Sequence, residues 1–244
     1  NTLFGDLAET MEVQVPKISD CAHWPLVVQL DHEKEVTGIF LSGHPLDDYR
    51  FEMEHYGIAK ISYVNEYKEQ EKEKINSNAT FKIMGLVSDA QHRIAKSGNK
   101  YGSFVVEDYS GKLELMLFSE DYLRYSSILQ LGATVYITGF FKQRYNGDFD
   151  FRITSVSLAE SVKKNLTKKL SVHLPAADVT EDMISFVQKN LKSNKGNTIF
   201  FIGLNDATED LQVNLFTSGK GFEMNTEMIG YLTSKPNWSV KVEV

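Results

Sequence analysis

A single cysteine, Cys21, leaves no partner for an internal disulfide in this 244-residue chain. Such thiol poverty fits a reducing compartment, the cytoplasm. Long apolar runs are missing as well. No window approaches the ~20 consecutive apolar residues of a membrane span, so no membrane partner is expected. There is no basic segment followed by an apolar stretch, and so no visible signal peptide. The first residue is Asn1 and not Met, which reads as a piece of a longer protein. An excess of positive charge is also lacking. The formal net charge is -7, which taken whole argues mildly against a nucleic-acid binder. The acid is unevenly spread, however. Residues 1–78 hold 7 Lys+Arg and 15 Asp+Glu, residues 79–158 hold 9 and 8, and residues 159–244 hold 10 and 10. Local clustering of cations matters more for phosphate binding than the sum.

What is present is an ordinary globular composition, 42% hydrophobic and 24% charged, with a change of pattern along the chain. Residues 1–22 are polar and unpatterned, a flexible lead-in. Residues 23–78 form a helical linker region. One helix is expected from Pro25 to Leu41, with Gly43 as its cap, and a second from Leu46 to Tyr56, ending at Gly57. Glu66 to Lys74, followed by Asn76-Ser77-Asn78, reads as a solvated boundary. From residue 79 the period becomes 2. Strands are expected at Phe81–Ile94, Ser103–Glu107, Leu113–Leu117, Val135–Phe141 and Phe149–Val156. A helix capped by Ser119 falls between the third and fourth. Asn146-Gly147 is a strong hairpin signal. Five strands with a helix in that position are the layout of a five-stranded, closed OB-type β-barrel over residues 79–158.

After the basic linker Lys163–Lys169, residues 166–244 read as a small carboxy-terminal α+β domain. Asp178 and Glu181 resemble a capping box. The order βαββαβ predicts the ferredoxin-like split motif. The fold class is therefore mixed α and β: short helical lead-in, OB barrel, ferredoxin-like domain.

Several constellations invite a catalytic reading and fail. Asp148-Phe149-Asp150 would need a third carboxylate to hold a metal. Ser42-Gly43-His44-Pro45 lacks a third group to orient the base and reads as a helix stop and start. Cys21-Ala22-His23 has no second pair of zinc ligands. Gly219-Lys220-Gly221 lacks the third glycine of a dinucleotide loop. No catalytic residue, metal site or cofactor is expected.

The barrel offers a binding site instead. His92, Arg93 and Lys96 end the first strand, and Lys100 and Tyr101 open the second. Lys142, Arg144 and Tyr145 end the fourth. The first and fourth hairpin loops of an OB fold flank one oligonucleotide groove. Cations there can meet phosphates, and Tyr101, Tyr145 and Phe149 can stack bases. OB folds also bind proteins, so a protein-interaction adaptor or a tRNA-binding module remains an alternative.

Asp31-His-Glu-Lys-Glu-Val-Thr-Gly-Ile-Phe-Leu-Ser-Gly-His-Pro-Leu46 resembles the stretch that precedes the OB domain in the alpha subunit of bacterial DNA polymerase III. Gly98 to Phe118 is similar to that family's OB core, and its Glu107-Asp-Tyr-Ser-Gly111 turn is shared with other OB folds, including those of some tRNA synthetases. The resemblance covers nearly the whole chain and is weakest after Leu166. It implies a non-enzymatic piece of a DNA-directed DNA polymerase, a nucleotidyltransferase, whose catalytic residues lie upstream. It implies single-stranded DNA as the ligand of the barrel, the clamp-loader tau subunit as partner of the carboxy-terminal domain, and a bacterial cytoplasm. Asn1-Thr2-Leu3-Phe4 matches the last four positions of the family's motif for the sliding clamp (beta), Gln-x-x-Leu/Met-Phe, so Leu3 and Phe4 would be the clamp anchors. Met224, Met228, Phe222 and Trp238 are apolar candidates for a docking face in the last domain.

Overall fold

The computed structural model describes residues 24, 26–38, 40–69, 79–145, 147–206, 211–217 and 221–244. The lead-in with Leu3 and Phe4, Cys21 and His23, Pro25, most of the boundary before residue 79, Asn146 and Gly219-Lys220 lie outside them. The chain divides at His44/Pro45 into two units.

In the first unit, helix α1 spans Leu26–Thr37. It stops earlier than periodicity suggests. Gly38 takes the left-handed conformation, φ 80°, and its N–H donates to Lys34 O at 2.9 Å. The stop is therefore Gly38 and not Gly43, because only a residue without Cβ enters that region cheaply.

The second unit opens with a 3-10 turn, Asp47–Tyr49, which runs into α2, Arg50–His55, ending before Gly57. Helix α3, Ile61–Glu69, follows. It falls partly where a solvated boundary is expected. Its buried Ile61 and Val64 pack into the barrel core, while its Glu-Lys face stays outside.

Five strands come next: β1 Thr80–Ile94, β2 Lys100–Glu107, β3 Lys112–Phe118, β4 Thr134–Gln143 and β5 Phe149–Leu158. All pairings are antiparallel, in the order β3-β2-β1-β4-β5. β1 is shared. Thr80–Leu86 pairs with β4, and Leu86–Ile94 with β2, with an irregularity between Val87 and Asp89. That is the OB connectivity, with one correction. The hydrogen-bonded ladder ends at β3 and β5, so among the described residues the barrel is open, not closed as the sequence predicts. Helix α4, Ser119–Tyr125, lies in sequence between β3 and β4 and reaches β5 through a side chain: Tyr125 OH donates to Thr154 O at 2.9 Å. Ser119 does not cap this helix. Phe118 is the N-cap residue, and Ser119 itself has φ 46°. Phe104, Leu115, Leu129, Ile137 and Phe141 fill the interior.

The stretch read as a linker is folded. A 3-10 turn, Ala159–Ser161, and helix α5, Val162–Leu166, carry the chain onward. Lys163 Nζ meets the fully buried Glu52 carboxylate of α2 at 3.1 Å. The last domain comprises β6 Lys169–Pro175, α6 Glu181–Ser193, β7 Lys195–Asp206, β8 Leu211–Phe216, α7 Thr226–Thr233 and β9 Ser239–Glu243. The element order is βαββαβ as expected. The strand order is not that of the split motif. It is β8-β7-β6-β9, with β6 and β7 direct parallel neighbours. The ferredoxin-like arrangement would insert a strand between them. The cap of α6 also differs. Thr180 Oγ1 accepts from Met183 N at 3.2 Å, while Asp178 accepts from Trp238 Nε1 at 2.8 Å. Both α6 and α7 pack on one face, against Leu170, Val172, Leu174 and Phe200. Phe222, Met224 and Met228 are buried in that core and Trp238 packs against it, so none of the four forms a docking face.

Candidate nucleic-acid interface

In β2 and β3, alternation puts Phe104, Val106, Leu113, Leu115 and Leu117 inside. The residues between them must point outward. Cross-strand register then assembles a face from three strands. Arg93, Tyr101 and Phe118 form one row, Gln91, Ser103 and Met116 the next, and Asp89, Val105 and Glu114 the third. The Tyr101 and Phe118 rings stack at 5.9 Å between centroids and 15° between planes, and Phe118 is 49% exposed. Arg93 is held along the face, donating to Gln91 Oε1 at 2.7 Å, and Gln91 in turn donates to Asp89 at 2.9 Å. The face thus has a cationic, aromatic end and an acidic end.

The structure gathers Arg93, Lys96, Lys100 and Tyr101 around the β1–β2 turn, where Gly98 has φ 84°. Lys96 and Lys100 are exposed at its tip. His92 turns the other way. Its Nδ1 lies 2.9 Å from Tyr122 OH, and its ring meets Phe104 edge-on at 5.5 Å. Lys142, Arg144 and Tyr145 sit beyond the opposite end of β1, since Thr80 pairs with Phe140 while Ile94 pairs with Lys100. There Arg144 is ion-paired with Asp150, which lowers its availability to a phosphate, while Tyr145 and Lys142 are exposed. Phe149 is a core residue and cannot stack a base. Phe118 and Met116 were not among the expected contacts. The signal for them was present, because burial of Leu113, Leu115 and Leu117 forces their neighbours outward.

The remaining constellations have structural explanations. Ser42 Oγ donates to Glu33, whose carboxylate also accepts from Leu41 N and Ser42 N at 2.8 Å each and from Gln29 Nε2 at 2.9 Å. Chiefly through the Ser42 hydroxyl and N–H, these bonds pull the Glu33 carboxyl down to about 2. His44 stands edge-on to Phe40 at 5.4 Å. Among the described residues, no group of three or more His, Cys, Asp or Glu side chains could hold a metal. Among them, too, no helix is long and apolar enough to cross a membrane.

A five-stranded antiparallel sheet with this shared first strand and a helix between β3 and β4 defines an OB fold. Residues 81–159 match the family described as OB-fold nucleic acid binding domain. Residues 170–243 match the DNA polymerase III alpha subunit, C-terminal domain. Neither description is of a polymerase catalytic region. The DNA polymerase III subunit alpha of Escherichia coli (strain K12) is 27% identical over 199 residues, 81% of this chain and 16% of the relative. That of Vibrio cholerae is 24% identical over 198 residues, again 81% and 16%. The chain spans about a sixth of the length of these relatives. A solved structure, the second OB-fold domain of replication protein A from Methanococcus maripaludis, aligns with 33% of this chain and 84% of its own, at 17% identity and a TM-score of 0.24. The resemblance to the carboxy-terminal region of the bacterial DNA polymerase III alpha subunit thus holds across both sheets.

Proposed function

We propose that this chain binds single-stranded DNA through the outward face of β1–β3 and tethers a replicative DNA polymerase to its template in the bacterial cytoplasm. The observation that carries the reading is the stacked Tyr101–Phe118 pair with Arg93 in the same row. Flat rings offer every base a stacking surface without regard to sequence, and an adjacent guanidinium can meet the phosphate. Acids at the far end of the face and a nearly balanced barrel charge keep the affinity modest. Binding to an oligothymidylate, followed by fluorescence anisotropy, should be measurable at low salt and weaken as salt rises. No binding at low salt would overturn the reading.

The longer polymerase of the resemblance supplies two further partners. Leu3 and Phe4 are proposed as anchors for the sliding clamp, because short motifs draw their affinity from a few apolar contacts. A peptide with Gln placed before Asn1 should bind the clamp, and Phe4→Ala should abolish that; equal binding in calorimetry would sink the idea. The carboxy-terminal domain is proposed as the dock for tau. The polymerase chemistry itself is assigned to residues outside this chain.

A further inference from the structure

The carboxy-terminal sheet has two faces of different character. Leu170, Val172, Leu174, Phe200, Ile202 and Leu204 point to the helices. The residues between them build the other face, which α6 and α7 do not cover; Ser171 at its centre is buried, and His173 and Phe201 are half-buried. Register places Lys241, Ser171, Phe201 and Phe216 in one row. Ser239, His173, Gly203 and Asn214 form the row beside it. Phe201 and Phe216 are direct cross-strand partners, and Phe216 is 71% exposed. The His173 ring lies 5.6 Å from that of Phe201. It rests over Gly203, where a Cβ would collide with the imidazole. Lys169 Nζ stands 5.0 Å from the Phe201 centroid.

We propose that this open face is a second stacking site for single-stranded nucleic acid, separate from the barrel face. Three planar rings are set on one sheet face, with the exposed Lys241 at their margin and Lys169 paired with Glu243. Sheets backed by two helices bind unpaired bases through such aromatics. The surroundings favour a nucleic acid over an apolar protein surface. Asn214, Gln212 and Ser239 are exposed hydrogen-bonding groups around the rings, and Lys241 is an exposed cation. The one acid in the lysine rows, Glu243, is neutralised by Lys169 at 3.1 Å. At the carboxyl ends of the parallel pair β6 and β7, the face runs into a concavity of about 710 Å³, lined by His173, Asn205, Asp206, Asn237 and Ser239 among others. Amides and an imidazole there can bond a base edge.

The test is a stoichiometry. The whole chain is titrated at low salt with a fluorescent oligonucleotide of about eight nucleotides, short enough to fill one platform. Two oligonucleotides should bind per chain. Phe216→Ala, whose exposed ring contributes little to the core, should reduce this to one. Lys241→Glu should weaken the same site roughly tenfold. Tyr101→Ala with Phe118→Ala should remove the other site, and all changes together should leave none. If the barrel variant alone removes all binding, or if both Phe216→Ala and Lys241→Glu leave two sites intact, the proposal fails. In the latter case a partner protein is the occupant to seek. If instead only the barrel variant is silent, the barrel reading fails and this one stands.

Discussion

Asp108 shows how a short motif can do more than shape a turn. Its nearly buried carboxylate accepts from Ser110 N at 2.7 Å, Ser110 Oγ at 2.6 Å and Gly111 N at 3.0 Å, which closes the β2–β3 turn. The other oxygen accepts from Ile61 N at 2.9 Å, the first residue of α3. One side chain therefore holds a hairpin and pins a helix to the barrel. The turn was legible in Glu107-Asp-Tyr-Ser-Gly111, because Asp, Ser and Gly each favour such geometry. The helix contact was not, since it joins residues 47 apart in sequence. Asp108→Ala should cost roughly 2–4 kcal/mol in urea unfolding, as several donors lose their acceptor. A loss below about 0.5 kcal/mol would contradict the assignment. The candidate site shows the same division. Arg93 and Tyr101 were readable from their place beside a turn. The pairing of Arg144 with Asp150, and of His92 with Tyr122, needed register and packing.

At the level of elements, the strands and the longer amphipathic helices were readable from period; α3 and α5, read as boundary and linker, were not, nor was the strand order of the second sheet. The βαββαβ order admits more than one sheet, and the choice lies in long-range pairing. Here β6 meets β7 directly, and β9 completes the other edge. The closing strand also matters beyond its own domain. Val242 and Val244 pack against a cluster containing Tyr56, Met84 and Tyr136, and Tyr56 OH lies 2.6 Å from Thr167 Oγ1. Burial there pushes the Tyr56 hydroxyl up to about 12. From sequence, removal of residues 237–244 should unfold the last domain and end tau binding while the barrel keeps its DNA. The shared cluster modifies that expectation. Oligonucleotide binding should persist at low temperature, but the barrel's melting midpoint should fall, because apolar contacts to Met84 and Tyr136 are lost. Retained tau binding would show that the dock lies elsewhere. An unchanged midpoint would show that the cluster does not couple the two sheets.

For the whole molecule, net charge does not describe the charge that any one sheet face presents. The -7 total arises from acid concentrated in the first 78 residues. A nucleic acid would meet only the rows of side chains on a sheet face, where two or three cations beside flat rings decide the outcome. On the proposed function, the Tyr101–Phe118 pair is the stacking surface of the barrel. The measurement compares Phe216→Ala with Phe216→Ala/Tyr101→Ala/Phe118→Ala by anisotropy on the same oligothymidylate at low salt, so that only the barrel face is read, with thermal melts run in parallel. Both rings lie on the outward face, so the melts should nearly coincide. Stacking is worth about 1–3 kcal/mol per base, so barrel affinity should fall tenfold or more. An unchanged affinity in a folded variant would show that these rings are not the stacking surface.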